Sequence, residues 1–414
     1  MSVLCPFAAL RPLPEYAASV LAPPYDVVSV HEARARAVGK PWSFLHVSRP
    51  EIDLPVGTDP CAPAVYAKGK QNFLRMIERG VLRRDRQPAY YIYRLIMGAH
   101  AQTGLVAVAS VAAYGDGRIR KHEHTQPPKE EDRTRHMRAL NAQTGPVALT
   151  YRQRPAIDAL MQSAGGGDPE TDVTTDDGVC HRLWPVRGPS EIDALGRALA
   201  EIDVLYIADG HHRAAAAARI ATEQRAANRD KRGHHAHEYF LTVSFPDNQM
   251  QILDYNRVVR DLNGLSLSEF LRRLRERFAV TPAVAAVKPA KAGELGMYLE
   301  GQWYGLAVRP GPHLRDAVDR LDVTILSDTV LGPVLGITDS RRDTRIEFVG
   351  GVRGLQELER RVDSGDMAVA FSLFPTSLAD VMAVADAGRI MPPKSTWFEP
   401  KLADGLVSHL LTGR

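Results

Sequence analysis

The spacing of apolar and polar residues changes several times along the chain, and each change predicts an element. Residues 90–97 and 102–114 are rich in β-branched and aromatic side chains and flank Gly98, a pattern typical of a β-hairpin. Residues 65–81 place Phe73, Leu74 and Ile77 on one side of an amphipathic helix. Shorter apolar runs predict strands at residues 43–48, 147–151 and 179–186.

The second half of the chain continues this alternation. Strands are predicted at residues 238–245, 251–259 and 367–374, a helix at 267–278, a hairpin at 296–308 and an apolar helix or helix pair at 321–335. We therefore expect an α+β fold with a mixed-sheet core, an N-terminal β-hairpin layer and a C-terminal α/β portion. The expected segments are 1–118 (N-terminal α/β portion), 119–262 (core) and 263–414 (C-terminal α/β portion).

The chain is organised around an apolar strand at residues 203–208, which runs into Asp209, Gly210, His211, His212 and Arg213 and then into an alanine-rich helix. A helix start offers unpaired N–H groups and a partial positive charge. An arginine fork beside it suits a phosphate or carboxylate group. This 209–213 turn therefore predicts a phosphate-binding site. The alternative is a capped helix with solvated histidines, but a cap requires no His-His-Arg sequence.

A second polar turn, residues 121–124, follows another predicted strand end and contains Lys121, His122, Glu123 and His124. A carboxylate beside a cation and two imidazoles can be held ionised, as a base or a metal ligand. The alternative, a charged helix face with ion pairs such as Glu131–Arg135, suits residues 130–138 better. If both strands share a sheet, the two turns converge on one pocket suited to phosphoryl transfer.

Two further segments carry candidate ligand-binding residues. Tyr25 and Asp26 follow a diproline, which predicts either a packed N-terminal arm or a rigid loop that lines the site. Near the C-terminus, Lys394, Ser395 and Thr396 also follow two prolines. They either contact a phosphate or carboxylate group or belong to a C-terminal strand packed by aromatic residues. Both alternatives stay open for each segment.

Composition narrows the class of protein. The 414 residues include 52 basic and 49 acidic side chains, a formal net charge of +3 that is too balanced for a dedicated nucleic-acid binder. Three widely spaced cysteines form neither a disulfide framework nor a zinc motif, which predicts a reducing cytoplasm. No apolar run is long enough to span a bilayer. We expect a cytoplasmic protein with a small-molecule substrate and with no nucleic-acid or membrane partner; the sequence leaves the oligomeric state open.

The segment ADGHHRAAAA, together with PPYDVV, FLHVSRPEID, KHEHT, ILDYNRVV and PPKSTWFEPKL, resembles a family of microbial proteins known as domain of unknown function 1015 (DUF1015). The D-G-H-H-R turn alone is similar to that of the free-serine kinases of the ParB/sulfiredoxin-like superfamily. This second resemblance implies a ParB/sulfiredoxin-like element in the core. It also implies Glu123 as catalytic base, and Asp209, His211, His212 and Arg213 as the phosphate turn.

These features together predict a small-molecule phosphotransferase that acts on free serine or a similar hydroxy amino acid. We expect a nucleotide, ATP or ADP, with Mg²⁺, although no Walker A motif is present and the nucleotide-binding residues are not assigned. Lys121, His122 and Gly210 are expected to assist in phosphate binding, and no side chain is assigned as a metal ligand.

Several alternatives remain. One is a phosphatase acting on phosphoserine or a similar small phosphorylated acid. Another is a non-catalytic regulatory protein that binds phosphate or nucleotide. A metal hydrolase would recruit His122, His124, His211 and His212, but adjacent histidines rarely face one ion. A ParB-type DNA-binding protein is disfavoured by the balanced charge.

Overall fold

The computed structural model describes residues 2–227, 235–309 and 316–412. The chain divides into two compact units, one formed by Met1–Met250 with Pro400–Arg414 and the other by Gln251–Glu399. This division differs from the three segments expected from the sequence. Strands on both sides of residue 118 belong to the same sheet, and the C-terminal fifteen residues return to the first unit.

The strands up to residue 250 belong to the first unit, and so does the last strand of the chain. Up to residue 250 they are β1 (Leu4–Cys5), β2 (Leu10–Pro12), β3 (Leu82–Arg84), β4 (Tyr90–Met97), β5 (His100–Ser110), β6 (Ile119–Arg120), β7 (Ala142–Gln143), β8 (Val147–Tyr151), β9 (Thr171–Thr174), β10 (Cys180–Val186), β11 (Leu205–Asp209) and β12 (Tyr239–Pro246). Those that follow are β13 (Gln251–Leu253), β14 (Tyr255–Val259), β15 (Phe278–Ala283), β16 (Glu294–Leu299), β17 (Gln302–Val308), β18 (Ile346–Gly350), β19 (Val369–Leu373), β20 (Trp397–Glu399) and β21 (His409–Leu410).

The helices alternate with these strands. In the first unit they are α1 (Pro14–Val20), α2 (Val30–Ala37), α3 (Leu45–Ser48), α4 (Pro63–Glu78), α5 (Val111–Gly115), α6 (Pro127–Leu140), α7 (Pro155–Ala164), α8 (Pro189–Ala200) and α9 (His211–Ala227). In the second unit they are α10 (Leu267–Arg275), α11 (Asp322–Leu326), α12 (Gln356–Asp363) and α13 (Leu378–Asp386), with a π-helical turn at Ser327–Leu331. None of these helices combines the length and the apolar character needed to cross a membrane.

A large mixed sheet forms the centre of the first unit. Within the described residues its strand order is β6-β11-β8-β12-β5-β4-β10-β9, and β1 pairs with β5 at the side. The β11–β6 and β12–β8 pairs are parallel and the others are antiparallel. Strand β8 is buried along its whole length, as expected for a central strand covered on both faces. The alanine-rich α9 buries Ala214, Ala216, Ala217 and Ala221 in this core.

The second unit has its own antiparallel sheet, with strand order β15-β17-β16-β19-β14-β18 in the described part of the chain. A separate two-stranded pair joins β13 to β20. The core around Phe270, Phe278 and Phe371 packs helix α10 against this sheet. The unit therefore buries its apolar side chains independently of the mixed sheet.

The mixed sheet, the hairpin β4–β5 and the helices near residues 65–81 and 211–227 agree with the sequence prediction. Three local predictions are wrong. Residues 43–48 contain helix α3 instead of a strand, and the end of the 102–114 run turns into helix α5. Residues 251–259 split at Asp254 into β13 and β14, which pair in different sheets. In each case tertiary packing overrides a short apolar run that suits either element.

Candidate functional site

The two polar turns leave the mixed sheet side by side. Strands β6 and β11 are parallel neighbours, with Ile119 opposite Leu205 and Arg120 opposite Tyr206. Parallel strands present their carboxyl ends at the same edge of a sheet. The 121–124 turn after β6 and the 209–213 turn after β11 therefore start at one edge of a shared sheet, as the sequence prediction required. A single pocket between the two turns stays a prediction.

The histidines of the 209–213 turn hold the loop that follows β6. Nε2 of His211 accepts a long hydrogen bond of 3.5 Å from the backbone N–H of His122, and Nε2 of His212 accepts one of 2.9 Å from that of Gln126. A nitrogen that accepts a hydrogen bond carries no proton, which assigns the proton of each neutral ring to Nδ1. Burial lowers the pKa of His211 well below its usual value and that of His212 to about 4. Both rings are neutral near pH 7, so they position the loop instead of supplying positive charge to a phosphate.

Glu123 lies against the protonated side of His211. Its Oε2 atom is 3.8 Å from Nδ1 of His211, and its side chain is 36% exposed while that of His211 is 4% exposed. The carboxylate therefore has one side toward a fixed N–H group and one side toward solvent. A carboxylate in this position can accept a proton from a hydroxyl group that approaches from solution.

His122 and Lys121 occupy different environments within the same turn. The His122 ring is buried and packs edge-on against His211, with ring centroids 4.5 Å apart. Burial lowers the pKa of His122 to about 4, and a hydrogen bond with the backbone of Ile207 opposes this only in part. The ring of His122 lies in the interior, so the expectation that it contacts a phosphate group directly is wrong. Lys121 is exposed, and its Nζ atom lies 4.0 Å from the centre of the Tyr114 ring.

Arg213 is buried, which corrects the expectation of an exposed donor fork. The residue is 6% exposed. Its Nη2 atom donates a 2.9 Å hydrogen bond to Asp209 Oδ2, and its Nη1 atom donates to the carbonyl oxygen of Pro146. Although burial alone would lower the pKa of Arg213, the charges of Asp209 and Asp26 raise it above its usual value. Arg213 therefore joins the turn to Pro146, the residue before strand β8, and its guanidinium group is hydrogen-bonded to protein groups.

The absence of a side chain at Gly210 leaves room for this buried arginine. Its φ of +98° lies in the left-handed region, where a residue with a side chain is strained. A Cβ atom at Gly210 would lie 3.0 Å from Nε of Arg213. The close approach at this glycine is thus to the guanidinium group of Arg213, and the expected part of Gly210 in phosphate binding stays a prediction.

Asp209 is the more accessible partner of the ion pair, with 41% of its side chain exposed. Desolvation raises its pKa, but Arg213 and then Lys401 lower it by more, so that the pKa of Asp209 falls well below its usual value. The carboxylate is ionised at neutral pH and fixed beside the start of α9.

Three residues that sequence reasoning missed complete this part of the first unit: Lys401, Asp404 and Arg133. The Arg133 guanidinium lies 3.7 Å from the centre of the Tyr25 ring, so residues 130–138 are not entirely a solvated helix face. Asp404 is 3% exposed, and burial raises its pKa to about 7 although Arg213 opposes this shift. A signal was available in the sequence, since Lys401 and Asp404 interrupt an otherwise apolar stretch.

Tyr25 and Asp26 lie near this cluster, and whether their loop lines a ligand site stays a prediction. The backbone carbonyl of Tyr25 accepts a hydrogen bond of 3.3 Å from Arg49. Burial raises the pKa of the Tyr25 hydroxyl above its usual value, and Arg133 opposes the shift. Asp26 is exposed and its charge acts on Arg213, Asp404 and His212. The diproline loop therefore contributes one exposed carboxylate to the surroundings of the 209–213 turn.

Lys394, Ser395 and Thr396 belong to the second unit. The Ser395 hydroxyl donates a 2.6 Å hydrogen bond to the carbonyl of Pro392, and the Ser395 carbonyl accepts one of 2.9 Å from Thr376. Lys394 is exposed with a φ of +58°. These contacts account for the turn itself, and ligand binding by the three residues stays a prediction.

The described residues hold no group of three or more His, Cys, Asp or Glu side chains arranged to bind a metal ion. Magnesium that accompanies a nucleotide needs only one or two carboxylates, since phosphate oxygens and waters complete its coordination. Asp26 and Asp209 are the exposed or half-exposed carboxylates beside the 209–213 turn that fit this smaller requirement.

The chain is similar in structure to several solved proteins. One is a free serine kinase mutant in complex with ADP, at 15% identity and a TM-score of 0.35, covering 73% of this chain and 92% of that one. A second is a conserved hypothetical protein from Pyrococcus furiosus, at 15% identity and a TM-score of 0.36, covering 74% and 95%. A third is SbnI with C-terminal truncation from Staphylococcus aureus, at 11% identity and a TM-score of 0.37, covering 73% and 86%.

Among curated proteins, none matches the chain. The family described as "Protein of unknown function (DUF1015)" matches residues 4–324. The match includes both polar turns and every described strand of the mixed sheet. Because it extends over well over half of the sequence, the chain belongs to the DUF1015 family.

Proposed function

We propose that the protein transfers a phosphoryl group from a nucleotide to the hydroxyl group of free serine or a similar small hydroxy amino acid. The observation that carries the proposal is the partly exposed Glu123 carboxylate, which lies 3.8 Å from Nδ1 of the buried His211. A base that is both oriented and reachable is what a hydroxyl acceptor requires. The choice of serine rests on the likeness of the D-G-H-H-R turn to that of free-serine kinases.

In this proposal Glu123 takes the hydroxyl proton while the serine oxygen forms its bond to the transferred phosphorus. The bond between that phosphorus and the bridging oxygen of the donor breaks, and the shortened nucleotide leaves with its electron pair. His211 presents its Nδ1–H group 3.8 Å from the carboxylate and stays neutral, consistent with its depressed pKa. His211 and His212 also hold the loop that carries Glu123 through their Nε2 atoms.

Negative charge on the moving phosphoryl group needs donors that a ligand can reach from solution. Lys121 is exposed beside Glu123, and the first N–H groups of α9 lack partners within the helix. We assign the phosphoryl oxygens to these two sources. Asp209 and Arg213 keep the turn in shape, since the Arg213 fork is engaged by Asp209 and Pro146.

The donor is proposed to be ATP or ADP with Mg²⁺. The ion neutralises charge on the donor phosphates when bound. Asp26 and Asp209 are the side chains that would hold it. We further propose that β11 and α9 form a ParB/sulfiredoxin-like element, whose strand-to-helix turn is the 209–213 turn.

The proposal is tested by incubating the protein with serine, Mg²⁺ and, in separate tubes, ATP, ADP or pyrophosphate, while phosphorus NMR follows the products. The expected result is a phosphoserine resonance with a nucleotide donor. A further tube contains phosphoserine alone. Release of phosphate there, without any nucleotide, identifies the phosphatase alternative, in which Glu123 activates water.

A non-catalytic protein gives a third pattern. No product forms in any tube, and Glu123→Gln binds nucleotide and serine as the wild type does. That result contradicts the transferase and leaves a phosphate- or nucleotide-binding regulatory protein.

A further inference from the structure

A cavity of about 510 Å³ in the first unit lies at the two-stranded ribbon β2–β3. Its basic lining consists of Arg11, Arg83, Arg84, Arg86 and Arg187, which we call the arginine groove. The groove shares no lining residue with the turns at 121–124 and 209–213. Its volume falls within the usual range for small-molecule sites, about 300–1,000 Å³.

The two carboxylates of the groove are already engaged. Asp85 accepts hydrogen bonds from Nε of Arg11 at 2.8 Å and from the hydroxyl of the buried Tyr91 at 2.7 Å. Glu170 accepts one of 2.7 Å from Arg11 and is ion-paired with Arg187. Five guanidinium groups against these two carboxylates leave a formal charge of +3 in the cavity.

Two of the arginines are directly opposed across the ribbon. In the antiparallel register Arg11 faces Arg83, and residues directly opposite each other project from the same face. Like charges in this position are destabilising. Arg11 is compensated by Asp85 and Glu170, whereas Arg83 and Arg86 are exposed and have no carboxylate partner among the described residues.

We propose that the arginine groove binds a small polyanion carrying two or more phosphate or carboxylate groups. Guanidinium forks bind either group through two parallel hydrogen bonds. A ligand with three negative charges would neutralise the +3 of the cavity, one with two would reduce it to +1, and either would relieve the repulsion between Arg11 and Arg83. Arg11 is held in place by its hydrogen bonds to Asp85 and Glu170. Arg83 and Arg86 supply the donors that have no carboxylate partner in the described part of the chain. The proposal does not depend on phosphotransferase activity.

The test is calorimetric titration of the full-length protein with tripolyphosphate, pyrophosphate and citrate, which separates phosphate from carboxylate ligands. The double variant Arg83→Ser, Arg86→Ser should bind the preferred anion at least about tenfold more weakly. The matched control is Arg320→Ser, Arg341→Ser, which removes the same charge from two exposed arginines of the second unit. The control should stay within about twofold of the wild type.

A second measurement separates binding from misfolding. The unfolding midpoint of the wild type should rise with added anion, and that of the Arg83→Ser, Arg86→Ser variant should be no lower than the wild type without anion, because the repulsion is removed. Equal losses of affinity in the groove variant and the control would overturn the proposal in favour of a general charge effect. Absence of saturable binding of all three anions by the wild type would also overturn it.

Discussion

The Oε2 atom of Glu123 and the Nδ1 atom of His211 lie 3.8 Å apart, although 88 positions separate the two residues in the sequence. The parallel pairing of β6 with β11 brings them together. Since Nε2 of His211 accepts a backbone N–H group, the ring presents Nδ1–H to the carboxylate. The carboxylate therefore lies near an N–H group and can accept a proton on its solvent side.

Glu123→Gln should lower the rate of phosphoryl transfer by about 10²–10⁴-fold, the usual effect of removing a general base. Substrate binding should change little, because the amide has nearly the same shape. The matched control is Glu131→Gln, a partly exposed glutamate of α6 paired with Arg135 and Arg219, which should retain the wild-type rate. Equal rates in the two variants would remove Glu123 from the mechanism. The measurements are the initial rate and the nucleotide affinity of both variants and of the wild type.

Arg213→Ala should destabilise the first unit. The change removes the donor to Asp209 and to the Pro146 carbonyl and leaves a cavity beside Asp404 and Gly145. Buried acceptors left without partners cost about 1–3 kcal/mol each, so urea denaturation should show a loss of at least this size. Arg219→Ala, in the same helix but 43% exposed, should cost at most about 1 kcal/mol. Similar midpoints for the two variants would contradict the assignment of Arg213 as a structural residue.

Stability should fall as the pH is lowered from about 6.5 to about 4. Burial lowers the pKa of His122, His136, His181 and His409 from 6.5 to about 4, so in this range the unfolded chain binds more protons than the folded chain. Each histidine contributes at most about 3 kcal/mol. Urea midpoints at pH 7.5, 6 and 5 measure the slope. His136→Gln, whose amide can still donate to the Val47 carbonyl, should flatten it, and an unchanged midpoint from pH 7.5 to 5 would contradict the prediction.

Asp404 should act in the opposite sense. Burial and the charge of Asp26 raise its pKa from 3.8 to about 7, so the folded chain holds a proton there that the unfolded chain releases. This contribution is complete below pH 3.8 and is lost as the pH rises through 7. Asp404→Asn, which resembles the protonated form, should match the wild type near pH 5 and exceed its stability at pH 8, by at most about 4 kcal/mol. A variant that is less stable than the wild type at pH 8 would show that ionised Asp404 is a favourable partner of Arg213.

Local sequence determined the elements that carry the candidate site. The apolar run before Asp209 and the alanine-rich run after Arg213 specify a strand and a helix through nearest-neighbour propensity alone, and the structure contains β11 and α9 at these positions. The Gly98 turn between two β-rich runs likewise specifies the hairpin β4–β5. Such features depend on residues a few positions apart, which a single sequence displays directly.

The tertiary structure alone decided which polar groups face solvent. Arg213 is buried because the Pro146 carbonyl and Asp404, from distant parts of the chain, approach it, and His122 is buried because His211 packs against it. Periodicity near these residues contains no information about such partners. The same holds for residues 43–48, where a short apolar run suits a helix or a strand and packing selects α3. Local propensity acts over one or two turns of chain, whereas burial and charge pairing depend on groups brought together only by folding.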